Sequence, residues 1–213
     1  MTHASTTRAA ARRSVAAAIV ALGVLLVAAP RAPAQTPSGA APATGDAQAP
    51  WRALADGAIV LFRHASAPGT GDPSTFTLGD CATQRNLSDD GREQARRIGR
   101  RLKAEGVAVG AVWSSQWCRT LETARLLDLA PVREVPAFNS FFAGRGDEAA
   151  QTEQARDALR RWAGPGALVV VTHQVNITAL TGIYPRSGEG VVLRRAVPET
   201  AADALDVAGR VLP

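Results

Sequence analysis

Two of the histidines in this 213-residue chain stand in the same sequence context. His64 follows the apolar segment 57–62 through Arg63, and His173 comes two residues after the apolar segment 166–171. Both segments begin with glycine and are rich in residues that favour strands buried on both faces of a sheet. The carboxyl ends of parallel strands meet at the ligand-binding edge of an open α/β sheet. We therefore expect the two imidazoles to share one crevice, where an imidazole can serve as a nucleophile, an acid or a base.

Two arginines are expected at the same edge of the sheet. Arg63 directly precedes His64, and Arg119 lies at the start of the helix predicted after the second strand. A single arginine is usually a surface residue, but the joint placement of this pair with both histidines favours a site. Guanidinium groups match the geometry of phosphate oxygens, and the amides of a helix N-terminus add further donors. The pattern predicts a site for a phosphate-like anion, without a Walker loop or a dinucleotide-binding glycine motif.

The rest of the sequence alternates between helical and strand patterns. Ser88 is typical of a helix N-cap and Gly106 of a helix end, and the basic run 92–103 between them is more typical of a solvated helix face than of a nucleic-acid site. Strands that alternate with helices predict an α/β fold, a three-layer α/β/α sandwich with a mostly parallel central sheet. The elements predicted after the first strand are helix 88–105, strand 107–113, helix 117–128, edge strand 132–135, helix 147–162, strand 166–171, a short helix around 177–180, and closing strands 190–195 and 205–212.

Four motifs resemble those of the histidine phosphatase superfamily and occur in the order typical of that family. They are Leu61-Phe62-Arg63-His64-Ala65, the segment from Asn86-Leu87-Ser88 to Gln94-Ala95, the segment from Ser114-Ser115 through Arg119 to Ala124, and residues 169–173. The resemblance spans residues 57–181 and implies a phosphoglycerate mutase-like fold. The chain is too short for the large cap of the phytase-like branch. It resembles the compact branch, including exported members related to the lipopolysaccharide core heptose phosphatases.

This resemblance implies a phosphoric monoester hydrolase that needs no metal and no other cofactor. His64 would attack phosphorus and form a phosphohistidine. Arg63, Arg119 and His173 would hold the phosphoryl oxygens, together with the backbone N–H of Gln174. The substrate would be a small phosphoester, and in an exported protein an envelope sugar phosphate.

The proton donor for the leaving group is not evident from the sequence. Phosphoglycerate mutases carry a glutamate after the helix of the second motif, whereas segment 136–142 has no carboxylate here. Asp147 and Glu148 follow closely and are the candidates. Asp72 and Asp80 are others, in the long Gly-, Pro- and Asp-rich loop predicted over 65–86 after the first strand. The gap disfavours mutase chemistry more than phosphatase chemistry, because a good leaving group needs less acid assistance. It also leaves open a non-catalytic protein that binds phosphate or sugar phosphates on the same fold.

Cys81 and Cys118 are the two cysteines of the chain. An even count in an exported protein permits a disulfide, and two separate buried thiols are the alternative. A zinc site formed by both cysteines with His64 and His173 is a further hypothesis, because the ligand types suit zinc. The absence of a short ligand pair and the neighbouring arginines disfavour it, so we predict no metal.

The N-terminus has the layout of an export signal. A charged start is followed by the uncharged apolar run 15–29, and small residues precede a predicted cleavage after Ala34. The run is short for an uncleaved membrane anchor, and the arginine pair 12–13 leaves open the twin-arginine route. We predict a signal peptide over 1–34, an Ala/Pro-rich linker over 35–50 and a histidine phosphatase-like domain over 51–213. The mature protein would be periplasmic or secreted, without a stable membrane anchor.

The charge distribution gives no reason to expect a nucleic-acid partner. The formal net charge is +5, but residues 1–34 contain four arginines and no acidic residue. The remaining chain carries 20 basic and 19 acidic residues, so the basicity belongs mostly to the predicted signal. A small phosphorylated substrate is therefore the partner that the sequence favours, and the oligomeric state is left open.

Overall fold

The structure, a computed structural model, describes residues 46–195 and 205–212. The predicted signal peptide and most of the predicted linker lie outside these residues. Within the described ranges, no helix is both long and apolar enough to cross a membrane. In chain order the elements are α1 (Ala49–Ala55), β1 (Ile59–Arg63), α2 (Asp89–Ala104), β2 (Val109–Ser114), α3 (Cys118–Leu126), β3 (Val132–Glu134), α4 (Glu148–Arg160), β4 (Ala167–Thr172), α5 (Gln174–Thr181), β5 (Gly190–Leu193) and β6 (Val207–Val211).

These strands form one mixed sheet in the order β3-β2-β4-β1-β5-β6. Strands β3, β2, β4 and β1 pair in parallel, β5 pairs antiparallel with β1, and β6 pairs antiparallel with β5. The register places Arg63 opposite Thr172 at the carboxyl ends of β1 and β4. The observed sheet confirms the predicted α/β fold with a mostly parallel sheet, and it brings the ends of the two histidine-bearing strands side by side.

Alternating residues of the central strands pack against helices on opposite faces of the sheet. Val60 and Val169 contribute to a cluster that includes residues of α1, α2 and α3. Leu61 and Val170 contribute to a second cluster that includes residues of α4 and α5. Because β1 and β4 are covered on both faces, their sequences are continuously apolar rather than alternating.

Helix α2 begins where its sequence predicts. Ser88 is the N-cap, and its Oγ accepts a hydrogen bond from the amide of Gly91 at 3.1 Å. A side chain at Gly91 could not be accommodated, because its Cβ would lie 2.0 Å from the carbonyl oxygen of Ser66. The glycine therefore lets the first turn of α2 approach the backbone of Ser66, two residues after His64.

Two features differ from the sequence prediction. Helix α1 was not predicted, since Ala49 and Pro50 continue a stretch that has the composition of a linker. Pro50 nevertheless suits the first turn of a helix, and α1 buries Trp51 and Leu54. The predicted long loop 65–86 is not entirely irregular, because a short 3-10 helix forms at Cys81–Thr83.

Candidate active site

A cavity of about 160 Å³ opens at the carboxyl ends of β1 and β4. It is the location that the strand-end positions of the histidines predict. The residues that line it are Arg63, His64, Gly69, Thr70, Gly71, Arg85, Arg119, Ser140, Phe142, His173, Gln174, Val175 and Tyr184. The structure thus gathers both predicted histidines, both predicted arginines and Gln174 around one space.

The ring of His64 has a defined tautomer. Its Nδ1 lies 2.7 Å from the carbonyl oxygen of Ala65, which can only accept a hydrogen bond. Nδ1 therefore carries the proton, and Nε2 keeps its lone pair. His64 is buried, and this burial, followed by the charge of Arg119, lowers its pKa to about 3. At neutral pH the ring is an uncharged base or nucleophile.

His173 lies beside His64, with the two ring centroids 5.6 Å apart. Its Nε2 is 2.8 Å from Oγ of Ser115, and its Nδ1 is 3.4 Å from Nη2 of Arg119. Because the guanidinium can only donate, Nδ1 accepts and Nε2–H donates to the hydroxyl. Burial, followed by the charge of Arg119, lowers the pKa of His173 well below its usual value. Both imidazoles are thus neutral at pH 7.

The arginines leave buried donors without partners. Within the described residues, Nε of Arg63 and Nε of Arg119 are buried and make no hydrogen bond. A buried donor without a partner is costly, so such groups need an explanation. Both side chains line the cavity, and an anion bound there would provide the missing acceptors. Burial lowers the pKa of Arg119 to about 10, which still leaves the guanidinium charged at neutral pH.

A third arginine, Arg85, lines the same cavity. Its Nε donates to the carbonyl oxygen of Gly71 at 2.8 Å, and its Nη1 donates to the carbonyl oxygen of Ala67. Arg85 was not predicted as a site residue, because it lies in the loop 65–86, where no periodic pattern indicates which way a side chain faces. Its one signal is its position directly before the motif that begins at Asn86.

Asp72 contacts Arg119 with both carboxylate oxygens. Oδ1 lies 2.7 Å from Nη1 and Oδ2 lies 3.3 Å from Nη2, and the two side chains are each 4% exposed. Asp72 also accepts from the amide of Arg85 and from Nε1 of Trp117, both at 3.0 Å. Burial opposes ionisation of Asp72, but the Arg85 amide and the Arg119 charge outweigh it and lower its pKa. The carboxylate orients Arg119 and leaves Nε for another ligand.

None of the predicted proton donors lines the cavity, and Asp72 is paired with Arg119. Asp147 is the N-cap of α4, where its Oδ1 accepts from the amide of Ala150 at 2.9 Å. Asp147 and Glu148 are both exposed, and neither lines the cavity. Asp80 is likewise engaged in capping, at the 3-10 helix Cys81–Thr83. All described residues that line the cavity are neutral or basic.

The two cysteines form a disulfide, Cys81–Cys118. Their sulfurs are bonded to each other, so they are not available as zinc ligands beside the histidines. Among the described residues no group of three or more His, Cys, Asp or Glu side chains is placed to hold a metal ion.

Three solved structures show the same fold as this chain. The histidine phosphatase SixA complexed with tungstate has a TM-score of 0.51 at 16% identity, covering 72% of this chain and 96% of its own. The phosphohistidine phosphatase SixA, described as putative, from Nakamurella multipartitia has a TM-score of 0.53 at 19% identity, covering 74% and 96%. A phosphoserine phosphatase from Entamoeba histolytica, in complex with 3-phosphoglyceric acid, has a TM-score of 0.52 at 12% identity, covering 73% and 97%.

No curated protein matches the chain. Its sequence does, however, match the model of a known family. The family model of the histidine phosphatase superfamily (branch 1) matches residues 59–167, which include β1, the loop with the disulfide, and β2 with the helix that carries Arg119. The chain belongs to the histidine phosphatase superfamily.

Proposed function

We propose that the chain is a metal-independent phosphomonoesterase that forms a phosphohistidine on His64. One observation carries this proposal: a neutral imidazole with a free Nε2 lone pair lines the same cavity as two arginines whose buried Nε–H groups lack acceptors. The first group is a nucleophile and the others are donors for the oxygens of a phosphoryl group.

In the first step Nε2 of His64 forms a bond to phosphorus while the ester P–O bond breaks. Charge builds on the transferring oxygens, and Arg63, Arg85 and Arg119 stabilise it, because they line the cavity as charged groups held in low dielectric. Gln174, the first residue of α5, adds an amide at the positive end of the helix. In the second step water attacks phosphorus, the P–N bond breaks, and inorganic phosphate forms.

The hydroxyl of Ser115 can hydrogen-bond to either neutral tautomer of His173. A hydroxyl can donate as well as accept, so Ser115 can donate to Nε2 of His173 when Nδ1 carries the proton. His173 could then donate from Nδ1 to a phosphoryl oxygen in place of its contact with Arg119. The neutral ring thereby becomes a fourth side-chain donor, after the three arginines, without any change in charge.

The substrate we propose is an envelope sugar phosphate or another small phosphoester. Tyr184 and Phe142, which line the cavity, are 69% and 43% exposed, and aromatic surfaces of this kind pack against flat faces of a ligand. Because the lining residues include no carboxylic acid, leaving groups that depart without a proton would react fastest. The similar structures include a phosphohistidine phosphatase, described as putative, and a phosphoserine phosphatase, which justifies testing phosphorylated peptides as well.

We also propose that the protein works outside the cytoplasm, in the periplasm or secreted. The leader pattern of residues 1–34 supports export, and the disulfide supports an oxidising compartment. Phosphorylated envelope sugars are accessible there, whereas cytoplasmic metabolites are not.

A panel of phosphoesters tests the proposal. The mature protein, His64→Ala and Arg119→Ala would be assayed on aryl phosphate, sugar phosphates, phosphoserine and a phosphohistidine peptide. We expect His64→Ala to lose turnover by at least about a thousandfold, since it removes the nucleophile. We expect Arg119→Ala to weaken phosphate binding and turnover together, because it removes a charged donor.

Phosphate binding, measured by calorimetry on the same samples, separates the enzyme from the alternative. A non-catalytic binding protein would bind phosphate and turn over none of the substrates. Turnover by His64→Ala equal to that of the parent protein would refute the assigned nucleophile. Circular dichroism spectra of the variants serve as the control for folding.

A further inference from the structure

The loop 65–86 is fastened to the first turn of α3 by contacts close to Arg119. The disulfide joins Cys81 of the loop to Cys118, the residue before Arg119. Beside it, Oε1 of Gln84 accepts a hydrogen bond from the amide of Cys118 at 2.9 Å. The ring of Phe76 stacks on Trp117 with the centroids 5.0 Å apart. The covalent link is therefore part of the contact between the loop and the helix that supplies a phosphate-site arginine.

The same loop carries two charged groups of the site, one that orients a lining arginine and one that lines the cavity itself. Asp72 holds both Nη atoms of Arg119, and Arg85 is itself a lining residue. The backbone amide of Arg85 donates to Asp72, and the Arg85 guanidinium donates to carbonyl groups of Gly71 and Ala67. Because these groups hold one another, the position of the loop sets the position of both guanidiniums.

Apart from these contacts, the loop has little buried apolar surface to keep it in place. Most residues between Pro68 and Thr83 are exposed or half-buried, and the 3-10 helix at Cys81–Thr83 buries none of its residues. Segments with few buried apolar contacts open at low free-energy cost. A covalent bond between residues 37 positions apart limits how far this loop can move from α3.

We propose that the Cys81–Cys118 disulfide completes the phosphate site, so that the oxidised chain binds phosphoryl groups more tightly than the reduced chain. This inference rests on the proposed function and adds a redox control to its site. A dithiol reductant would supply two electrons and two protons: its sulfurs form a disulfide, the Cys81–Cys118 bond breaks, and two cysteine thiols remain. Cys81 is exposed, whereas Cys118 is buried, so the bond is approached from the loop side.

Reduction would act on binding through Asp72 and Arg85. Once the loop can leave α3, Asp72 no longer fixes the Arg119 guanidinium and Arg85 no longer stays at the cavity. In an exported chain, as proposed above, the site would be completed only after the protein reaches an oxidising compartment. The cytoplasmic precursor would then bind phosphoesters weakly.

The test compares the oxidised mature protein, the protein reduced with dithiothreitol, and Cys81→Ser/Cys118→Ser. Calorimetry gives the Kd for inorganic phosphate, and assays on aryl phosphate give KM and kcat. We expect Kd and KM to rise about tenfold on reduction, the loss of about one charge-assisted hydrogen bond. We expect kcat to change less, and reoxidation to restore all three values. The double variant should match the reduced protein and ignore dithiothreitol.

Asp72→Asn provides a second test that keeps the disulfide. It removes the charge that orients Arg119, so Kd and KM should again rise about tenfold while the bond stays intact. If the cysteine double variant does not fold, Asp72→Asn and the reversible reduction of the parent chain together provide the test.

Equal Kd and KM before and after reduction, in samples where thiol titration finds two free thiols and circular dichroism finds the fold intact, would overturn the inference alone. An oxidised protein that neither binds phosphate nor hydrolyses any phosphoester would instead overturn the proposed function.

Discussion

The proposed reactivity of His64 depends on one carbonyl group and on burial. The carbonyl oxygen of Ala65 accepts a hydrogen bond from Nδ1–H, so the lone pair stands on Nε2. Burial and the nearby arginines keep the ring uncharged. The arginines that would bind the phosphoryl group thus also keep its nucleophile unprotonated.

The depressed pKa of His64 predicts a loss of stability in mild acid. An unfolded histidine takes up a proton below about pH 6.5, whereas the folded ring does so only near pH 3. As the pH falls through this window, the unfolded state binds a proton at His64 and the folded state does not. The free energy of unfolding therefore decreases. From pH 7 to pH 5 the contribution of His64 is a loss of about 2 kcal/mol.

Urea unfolding of the parent protein and of His64→Asn at pH 7, 6 and 5 measures this loss. His173 is present in both chains and cancels in the comparison. The variant should lose about 2 kcal/mol less than the parent between pH 7 and pH 5. Identical losses in the two chains would show that His64 titrates normally in the folded protein.

The packing of α2 on α3 depends on close backbone approach. A Cβ at Gly99 would lie 2.0 Å from the carbonyl oxygen of Leu127, just beyond the end of α3. No side chain can shift to relieve that contact, since the obstacle is backbone. Helix α2 is thereby held against α3, the helix that carries Arg119.

Gly99→Ala should therefore destabilise the protein, although alanine is the better helix former by about 1 kcal/mol. Overpacking against the Leu127 carbonyl should outweigh that gain and lower the free energy of unfolding by about 1–3 kcal/mol. Arg97→Ala on the exposed face of α2 is the matched control and should stay within about 0.5 kcal/mol of the parent. A Gly99→Ala variant more stable than the parent would contradict the close approach.

Elements with strong periodicity could be predicted from the sequence. Because these elements position both histidines, much of the candidate site could be predicted with them. The Gly-bounded apolar runs predicted β1 and β4, and the Ser88 cap predicted the start of α2. Arg85 could not be found this way. It reaches the cavity through contacts within an exposed loop, and a disulfide and the carboxylate of Asp72 fix that loop in three dimensions. Local pattern contains no information about such pairings.

In the whole molecule, the fold places hydrogen-bond donors from distant segments at one edge of the sheet. Arg63 lies at the end of β1, Arg119 in the first turn of α3, and Gln174 at the start of α5, while Arg85 belongs to a loop. The remaining basic residues largely pair with acids on the surface; the helix α2 pair Arg100–Glu93, at 2.7 Å, is an example. The cavity is thus the place where the described chain presents buried donors to an anion.

The central claim is that His64 carries the phosphoryl group during turnover. The most direct test mixes the oxidised protein with a labelled phosphoester, quenches it in alkaline detergent to preserve a P–N bond, and locates the phosphoryl group by peptide mass spectrometry. We expect label on the His64 peptide that disappears with excess unlabelled substrate and is absent from His64→Ala. Rapid turnover without label on His64, or label on another residue, would contradict it.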